Sequence, residues 1–202
     1  MTQFLVFLVV VLAGQIAWAG RAPIQDLAAD PYVSAIVLDA DTGEILFAEN
    51  ADVPVYPASV LKLMDLLIIL EGVEQGTLKL DDLVQVTREA HKMGGSQVYL
   101  DPKEQFPVEE LLYALMVQSA NDAAVTLATH VAGSKEGFVA LMNKRAEELG
   151  MKNTRFYSVH GLPPADGQEA DVTTARDFAI LCRELAKRPE VFAYTGTKVR
   201  DF

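Results

Sequence analysis

The chain is poor in the residues from which many catalytic and structural devices are built. It holds one cysteine, one tryptophan and three histidines in 202 residues. A single cysteine excludes an intramolecular disulfide, even in an oxidising compartment. Cys182 lies in an apolar stretch with Phe178, Ile180, Leu181 and Leu185, which predicts a buried core thiol and not a nucleophile. The histidines have no partners at metal-ligand spacing, so His130 and His160 read as ordinary helix and loop residues. Basic residues are also scarce, 17 Lys and Arg against 28 Asp and Glu, for a net charge of −11. That balance excludes a nucleic-acid binder, whose phosphate contacts need clustered cations. There are no internal repeats, no low-complexity tract and no apolar run long enough to span a bilayer comfortably.

What is present begins with a short apolar run at residues 4–13. It leads into Ala17-Trp18-Ala19, the small-x-small pattern of a signal-peptidase site. Residues 1–19 are therefore predicted to be a signal peptide cleaved before Gly20, which places the mature protein outside the cytoplasm. Met1-Thr2-Gln3 lacks the Lys or Arg that usually precedes such a run. No side chain in residues 1–19 is charged, so the whole net charge belongs to residues 20–202.

Two β-rich runs, Ser34 to Leu38 and Glu44 to Ala48, flank Asp39-Ala40-Asp41-Thr42-Gly43 and predict an antiparallel hairpin. Val60 to Leu70 is apolar on nearly every face, so it reads as a helix buried all round. Helices are predicted over Val108 to Val117, after Pro107, and over Ala123 to Ala132, opened by Asp122. Another carries Phe138, Leu141, Met142 and Leu149 on one face, ending at Gly150. Tyr157 to Asp171 reads as a long loop, and Thr174 with Asp177 has capping-box spacing for a last helix stopped near Pro189. Two strands make only a marginal sheet, so more strands are expected to follow the segment Tyr194 to Phe202.

Two short patterns could carry chemistry. Ser59-Val60-Leu61-Lys62 puts a serine and a lysine one turn apart at the start of the buried helix. Helix amides would favour negative charge developing at Ser59 Oγ, and burial would favour a neutral Lys62 able to accept a proton. The structural alternatives are an N-cap serine and a lysine paired with Asp65. Ser119-Ala120-Asn121 falls between two predicted helices, where capping is again the plain alternative. Each pattern alone reads as structural more often than not. The pair, in an exported chain, favours a serine nucleophile activated without histidine.

The surrounding sequence then becomes specific. Tyr56-Pro57-Ala58-Ser59-Val60-Leu61-Lys62-Leu63-Met64, the run Val108 to Ala124, Glu148-Leu149-Gly150-Met151-Lys152-Asn153-Thr154, His160-Gly161-Leu162-Pro163 and Thr173-Thr174-Ala175-Arg176-Asp177 all resemble serine-type D-alanyl-D-alanine carboxypeptidases, the low-molecular-weight penicillin-binding proteins. The resemblance runs in order from about Ala35 to the end of the sequence. It implies an α+β fold of the β-lactamase and D,D-transpeptidase kind, a helical lobe (about 77–170) packed on an antiparallel sheet, within a catalytic domain covering 20–202. It implies that Ser59 attacks the carbonyl between the terminal D-alanines of a peptidoglycan stem peptide. Lys62 would take the proton, Ser119 would relay one to the leaving D-alanine, and Asn121 would hold the substrate backbone. β-Lactams would acylate the same serine, in the periplasm or on the outer face of the cell envelope, and no metal or organic cofactor is implied. Peripheral membrane association is implied only for a full-length form.

One departure from the family is plain. Its third motif, Lys-Thr-Gly, occurs nowhere in the 202 residues, and Tyr194-Thr195-Gly196-Thr197-Lys198 has similar letters in another order. The sequence therefore predicts a C-terminally truncated chain lacking further sheet strands, with little or no carboxypeptidase activity alone. Loss of one oxyanion donor typically raises a barrier by about 2.7–4 kcal/mol. A D,D-endopeptidase of the same fold and a non-catalytic truncated fragment remain as alternatives. A class A β-lactamase does not: there is no E-x-x-L-N segment, and the second motif is Ser-Ala-Asn.

Overall fold

The structure, a computed structural model, describes residues 32–202; the predicted signal peptide lies outside the described residues. At its centre is helix α1, Lys62–Glu74, entered through a 3-10 turn at Ala58–Leu61. Leu61, Met64, Leu66, Leu67 and Ile69 are fully buried and share one core with Leu111, Leu112, Val125, Phe138 and Met142. A helix with so little polar surface has no face to offer water, so other elements enclose it.

The elements that enclose it are helices α3 (Val108–Val117), α4 (Asn121–Ala132), α5 (Lys135–Leu149) and α6 (Ala175–Ala186). Their ends follow local chemistry. Ser134 Oγ accepts from Gly137 N at the start of α5, and Thr174 Oγ1 accepts from Asp177 N at the start of α6. Gly133 and Gly150 close α4 and α5 in the left-handed conformation. A short helix α7, Val191–Thr195, packs on α3, where the Tyr194 and Tyr113 rings lie 4.8 Å apart.

The hairpin expected near the N-terminus is β1 (Ala35–Leu38) and β2 (Ile45–Glu49), antiparallel with Ile36 opposite Ala48 and an irregularity at Val37/Leu38. Asp39 Oδ1 accepts from Thr42 N at 2.7 Å in the turn, and Arg183 of α6 donates to the carbonyls of Ala40 and Asp41. A second antiparallel pair, β3 (Leu83–Gln85) with β4 (Gln105–Pro107), was not evident in the sequence, nor was the one-turn helix α2 (Arg88–His91). Partner strands of three residues carry too few alternating positions to be recognised.

Cys182 corrects the sequence reading. It sits on the exposed side of α6, because the strongly amphipathic helix turns Leu181 and Leu185 inward instead. Glu71 of α1 meets Arg145 of α5 at 2.7 Å and Arg188 at 3.2 Å, and Arg188 also reaches Glu74 at 2.6 Å. This ion-pair cluster binds the far end of α1 to α5 and to the segment after α6. No helix among the described residues is long and apolar enough to cross a membrane.

Candidate active site

The near end of α1 carries the two sequence motifs. Lys62 is 1% exposed, and its Nζ lies 3.2 Å from Ser59 Oγ, 3.2 Å from Ser119 Oγ, 2.8 Å from Asn121 Oδ1 and 2.9 Å from the His160 carbonyl oxygen. The structure thus brings Ser59, Lys62, Ser119 and Asn121 together around one nitrogen, although 60 residues separate the two motifs. The Asn121 and His160 oxygens can only accept. They engage two N–H bonds of Lys62 and leave its remaining position towards the two serine hydroxyls.

Neither serine is a helix cap. The caps of the 3-10 turn, α1 and α4 fall on Pro57, Leu61 and Ala120, and none makes a side-chain cap hydrogen bond. Ser59 is exposed, whereas Lys62 beside it is enclosed. Two residues here hold the left-handed conformation without being glycine: Ala58 at φ 48° and Ser119 at φ 56°. Such backbone costs about 1–3 kcal/mol per residue and persists only where the surroundings impose it.

The surroundings at Ala58 are visible. Gly161, φ 71°, lies so close that a Cβ there would fall 2.1 Å from the Ala58 carbonyl oxygen and 3.0 Å from Ser59 N. Tyr56 Oη donates to the Gly161 carbonyl at 2.6 Å. At Ser119 the chain is held by Ala120 N donating to Ala114 O at 3.2 Å and Asn121 N donating to Ser96 O at 2.8 Å. Asn121 Nδ2 donates to Gly94 O at 2.8 Å, which fixes the amide so that Oδ1 faces Lys62. Behind it, the buried Asp122 carboxylate accepts from Leu100 N at 3.0 Å and, more weakly, from Val98 N. Asn121 therefore begins α4 instead of lying in the preceding loop, which locks its direction.

Burial brings Lys62 down to about 8, opposed in part by the nearby Asp65 charge. At that value a useful fraction is neutral near physiological pH, as a general base requires. Asp65 is not the hydrogen-bonded partner that its spacing suggested. Both of its oxygens are buried without a hydrogen-bond partner, and burial holds the carboxyl well above the usual carboxylate range. Burial and the Lys62 charge push the His160 imidazole below its ordinary value, and Nδ1 accepts from Leu162 N.

Sequence reasoning missed the main-chain members of the site: the carbonyls of His160 and Gly94, and the close approach of Gly161. Every residue carries a carbonyl, so no side-chain pattern announces these. Only the glycine next to His160 offered a signal. Segment 194–198, with its scrambled third-motif letters, lies on α7 and the chain after it, against α3.

Comparison with known proteins identifies the family. The family profile described as D-alanyl-D-alanine carboxypeptidase, Peptidase_S11, matches residues 21–202. The D-alanyl-D-alanine carboxypeptidase DacF of Bacillus subtilis (strain 168) is 40% identical over 164 residues, covering 81% of this chain and 41% of that protein. Penicillin binding protein 6B from Escherichia coli superposes with a TM-score of 0.78 at 33% identity, over 87% of this chain and 57% of that one. Penicillin-binding protein D2 from Listeria monocytogenes in its ampicillin-bound form gives 0.71 at 32% identity, over 81% and 65% respectively. The chain spans about two-fifths of the length of DacF. Sequence, fold and profile converge, and the chain belongs to the peptidase S11 family of D-alanyl-D-alanine carboxypeptidases.

Proposed function

We propose that the protein removes the terminal D-alanine from peptidoglycan stem peptides ending in D-Ala-D-Ala, through an acyl-enzyme on Ser59. The observation that carries this reading is the single buried amine within 3.2 Å of both serine hydroxyls and held by two carbonyl oxygens. With two N–H bonds engaged, a neutral Lys62 presents its lone pair towards Ser59 and Ser119. Ser59 Oγ attacks the carbonyl between the two D-alanines and its proton passes to Lys62 Nζ. The tetrahedral intermediate collapses with cleavage of the C–N bond. The leaving amine takes its proton from Ser119, which recovers one from Lys62. Water then attacks the ester at Ser59, giving up a proton through the same groups and releasing the shortened peptide. Asn121, fixed by Gly94, orients the substrate backbone.

The same nucleophile would open a β-lactam ring and retain it as an ester, and the protein would act outside the cytoplasm at the cell envelope. Labelling the purified protein with a fluorescent penicillin, beside its Ser59→Ala variant, tests the mechanism. Labelling that depends on Ser59 is the expected result; equal labelling of both proteins, or none in a full-length form that carries Lys-Thr-Gly, overturns it. Release of D-alanine from a soluble D-Ala-D-Ala peptide, against cleavage of cross-linked dimers, separates the carboxypeptidase from an endopeptidase.

A further inference from the structure

The loop that closes the site from behind is built around one buried acid. Asp171 is 3% exposed and follows the turn of chain bridged to β-type pairing at Arg155 and Val172, whose N–H and C=O groups bond reciprocally at 2.8 and 2.9 Å. Its Oδ1 accepts from Tyr157 N at 2.6 Å and Ser158 N at 3.0 Å, and its Oδ2 accepts from Ser158 Oγ at 2.7 Å. Because the Ser158 hydroxyl spends its proton on Asp171, its oxygen is free to accept, and it does so from Gly161 N at 2.9 Å.

That N–H belongs to the peptide group joining His160 to Gly161. The carbonyl of the same peptide group accepts from Lys62 Nζ at 2.9 Å. One peptide plane is therefore gripped on both edges, by Ser158 and Asp171 on the amide side and by Lys62 on the carbonyl side. Hydrogen bonds in such a chain polarise one another, and a carboxylate at the end makes each acceptor along it stronger. Left-handed Gly161 lets the plane take this tilt, and any side chain at 161 would strike the Ala58 backbone.

We infer that Asp171 is a positioning residue for Lys62: acting through Ser158 and the His160–Gly161 peptide, it fixes where the lysine nitrogen points and how tightly that nitrogen holds its proton. Asp171 is hydrogen-bonded to neither the Ser59 nor the Ser119 hydroxyl, which lie against Lys62. The inference rests on the acyl-transfer reading only for its catalytic consequence; the geometry it explains is independent of turnover. The other ionisable groups acting on this region are Asp65, one turn along α1, the His160 imidazole, and Lys135, which bears on His160.

Lys62 can be titrated directly by NMR of its ε-carbon, the resonance being assigned by its loss in Lys62→Met. Asp171→Asn keeps the shape of the acid but removes its charge and reverses its hydrogen bond with Ser158. Ser158→Ala removes the link to the peptide while leaving the Asp171 bonds to Tyr157 N and Ser158 N. Neither substitution alters a residue that bonds Lys62 directly, so the ammonium loses a strengthened acceptor without gaining water. The Lys62 midpoint should fall by ~0.5–1 pH unit in each variant, and the double variant should show one such shift and not two. The pH profile of penicillin acylation should move down with it.

An unchanged midpoint in both single variants overturns the inference. So does an upward shift, which would mean that the loop is only a cover whose opening lets water reach Lys62. Ser158→Ala keeps the test decisive if Asp171→Asn fails to fold. If penicillin never labels a full-length form that carries Lys-Thr-Gly while the midpoint falls as expected, the acyl-transfer reading fails and the positioning role stands.

Discussion

Asp65 sits one turn beyond Lys62 with both carboxyl oxygens out of water and without a hydrogen-bond partner, and that arrangement should be written into the pH dependence of folding. Burial raises its folded-state value well above the ordinary carboxylate range, while in the unfolded chain it titrates near its ordinary value. The folded protein therefore binds this proton more tightly. The associated stability is fully present below the unfolded value and is lost as pH rises towards the folded one. Across that window each pH unit removes about 1.4 kcal/mol. Asp65→Asn keeps the shape and removes the ionisation, so the variant should become progressively more stable than the wild type as pH rises from about 4.5 to 6.5. The gap should widen by about 1.4 kcal/mol for each pH unit lying between the unfolded and folded titrations.

His160 contributes with the opposite sign near its own titration, since its folded-state value is lowered. Lys62, brought down to about 8, acts only at higher pH. Both are present in the two proteins and largely cancel in the difference. Urea unfolding at four pH values measures it, each pH unit separating the midpoints by roughly 0.5–1.4 M for ordinary slopes. Parallel stability curves, with a constant gap between wild type and variant, would refute the reasoning, because they would mean that Asp65 is solvated or paired in the folded protein.

Three further outcomes are expected. The rate of acylation by penicillin should climb about tenfold per pH unit below 8 and level off above it, because Lys62, the proposed base, must lose its proton to act; stopped-flow labelling from about pH 6 to about 9.5 reads the profile. Gly161→Ala should abolish acylation and lower the melting temperature, since its Cβ would meet the Ala58 backbone at 2.1 Å; labelling and a thermal melt on one sample show both. Glu71→Ala should cost ~1.5–3 kcal/mol by urea unfolding, because it leaves the half-buried Arg145 and Arg188 without their shared carboxylate, while penicillin labelling of the folded variant should be unaffected.

Much of this was legible in the sequence, for identifiable reasons. The helix Val108–Val117 and the cap at Thr174 follow from patterns confined to a few consecutive residues. The apolar run after Ser59 had to be central because it offered no polar face. What was hidden depended on distance along the chain. Spacing made Asp65 the natural partner of Lys62, yet the lysine finds its acceptors on Asn121 and on the His160 main chain. Cys182 looked buried because its neighbours are apolar, and helical phase, read one residue out, turns it to the surface. The Asp171 relay passes through a backbone peptide, to which a string of side-chain letters is blind.

The left-handed Ala58 just ahead of Ser59 has a consequence for anyone who sets out to harden this protein against heat. Glycine takes that conformation without steric penalty, so a screen for thermal tolerance has reason to select Ala58→Gly. The same change would loosen the backbone that holds Ser59, the proposed nucleophile, in place. Selection for robustness and selection for turnover would then pull on a single methyl group in opposite directions.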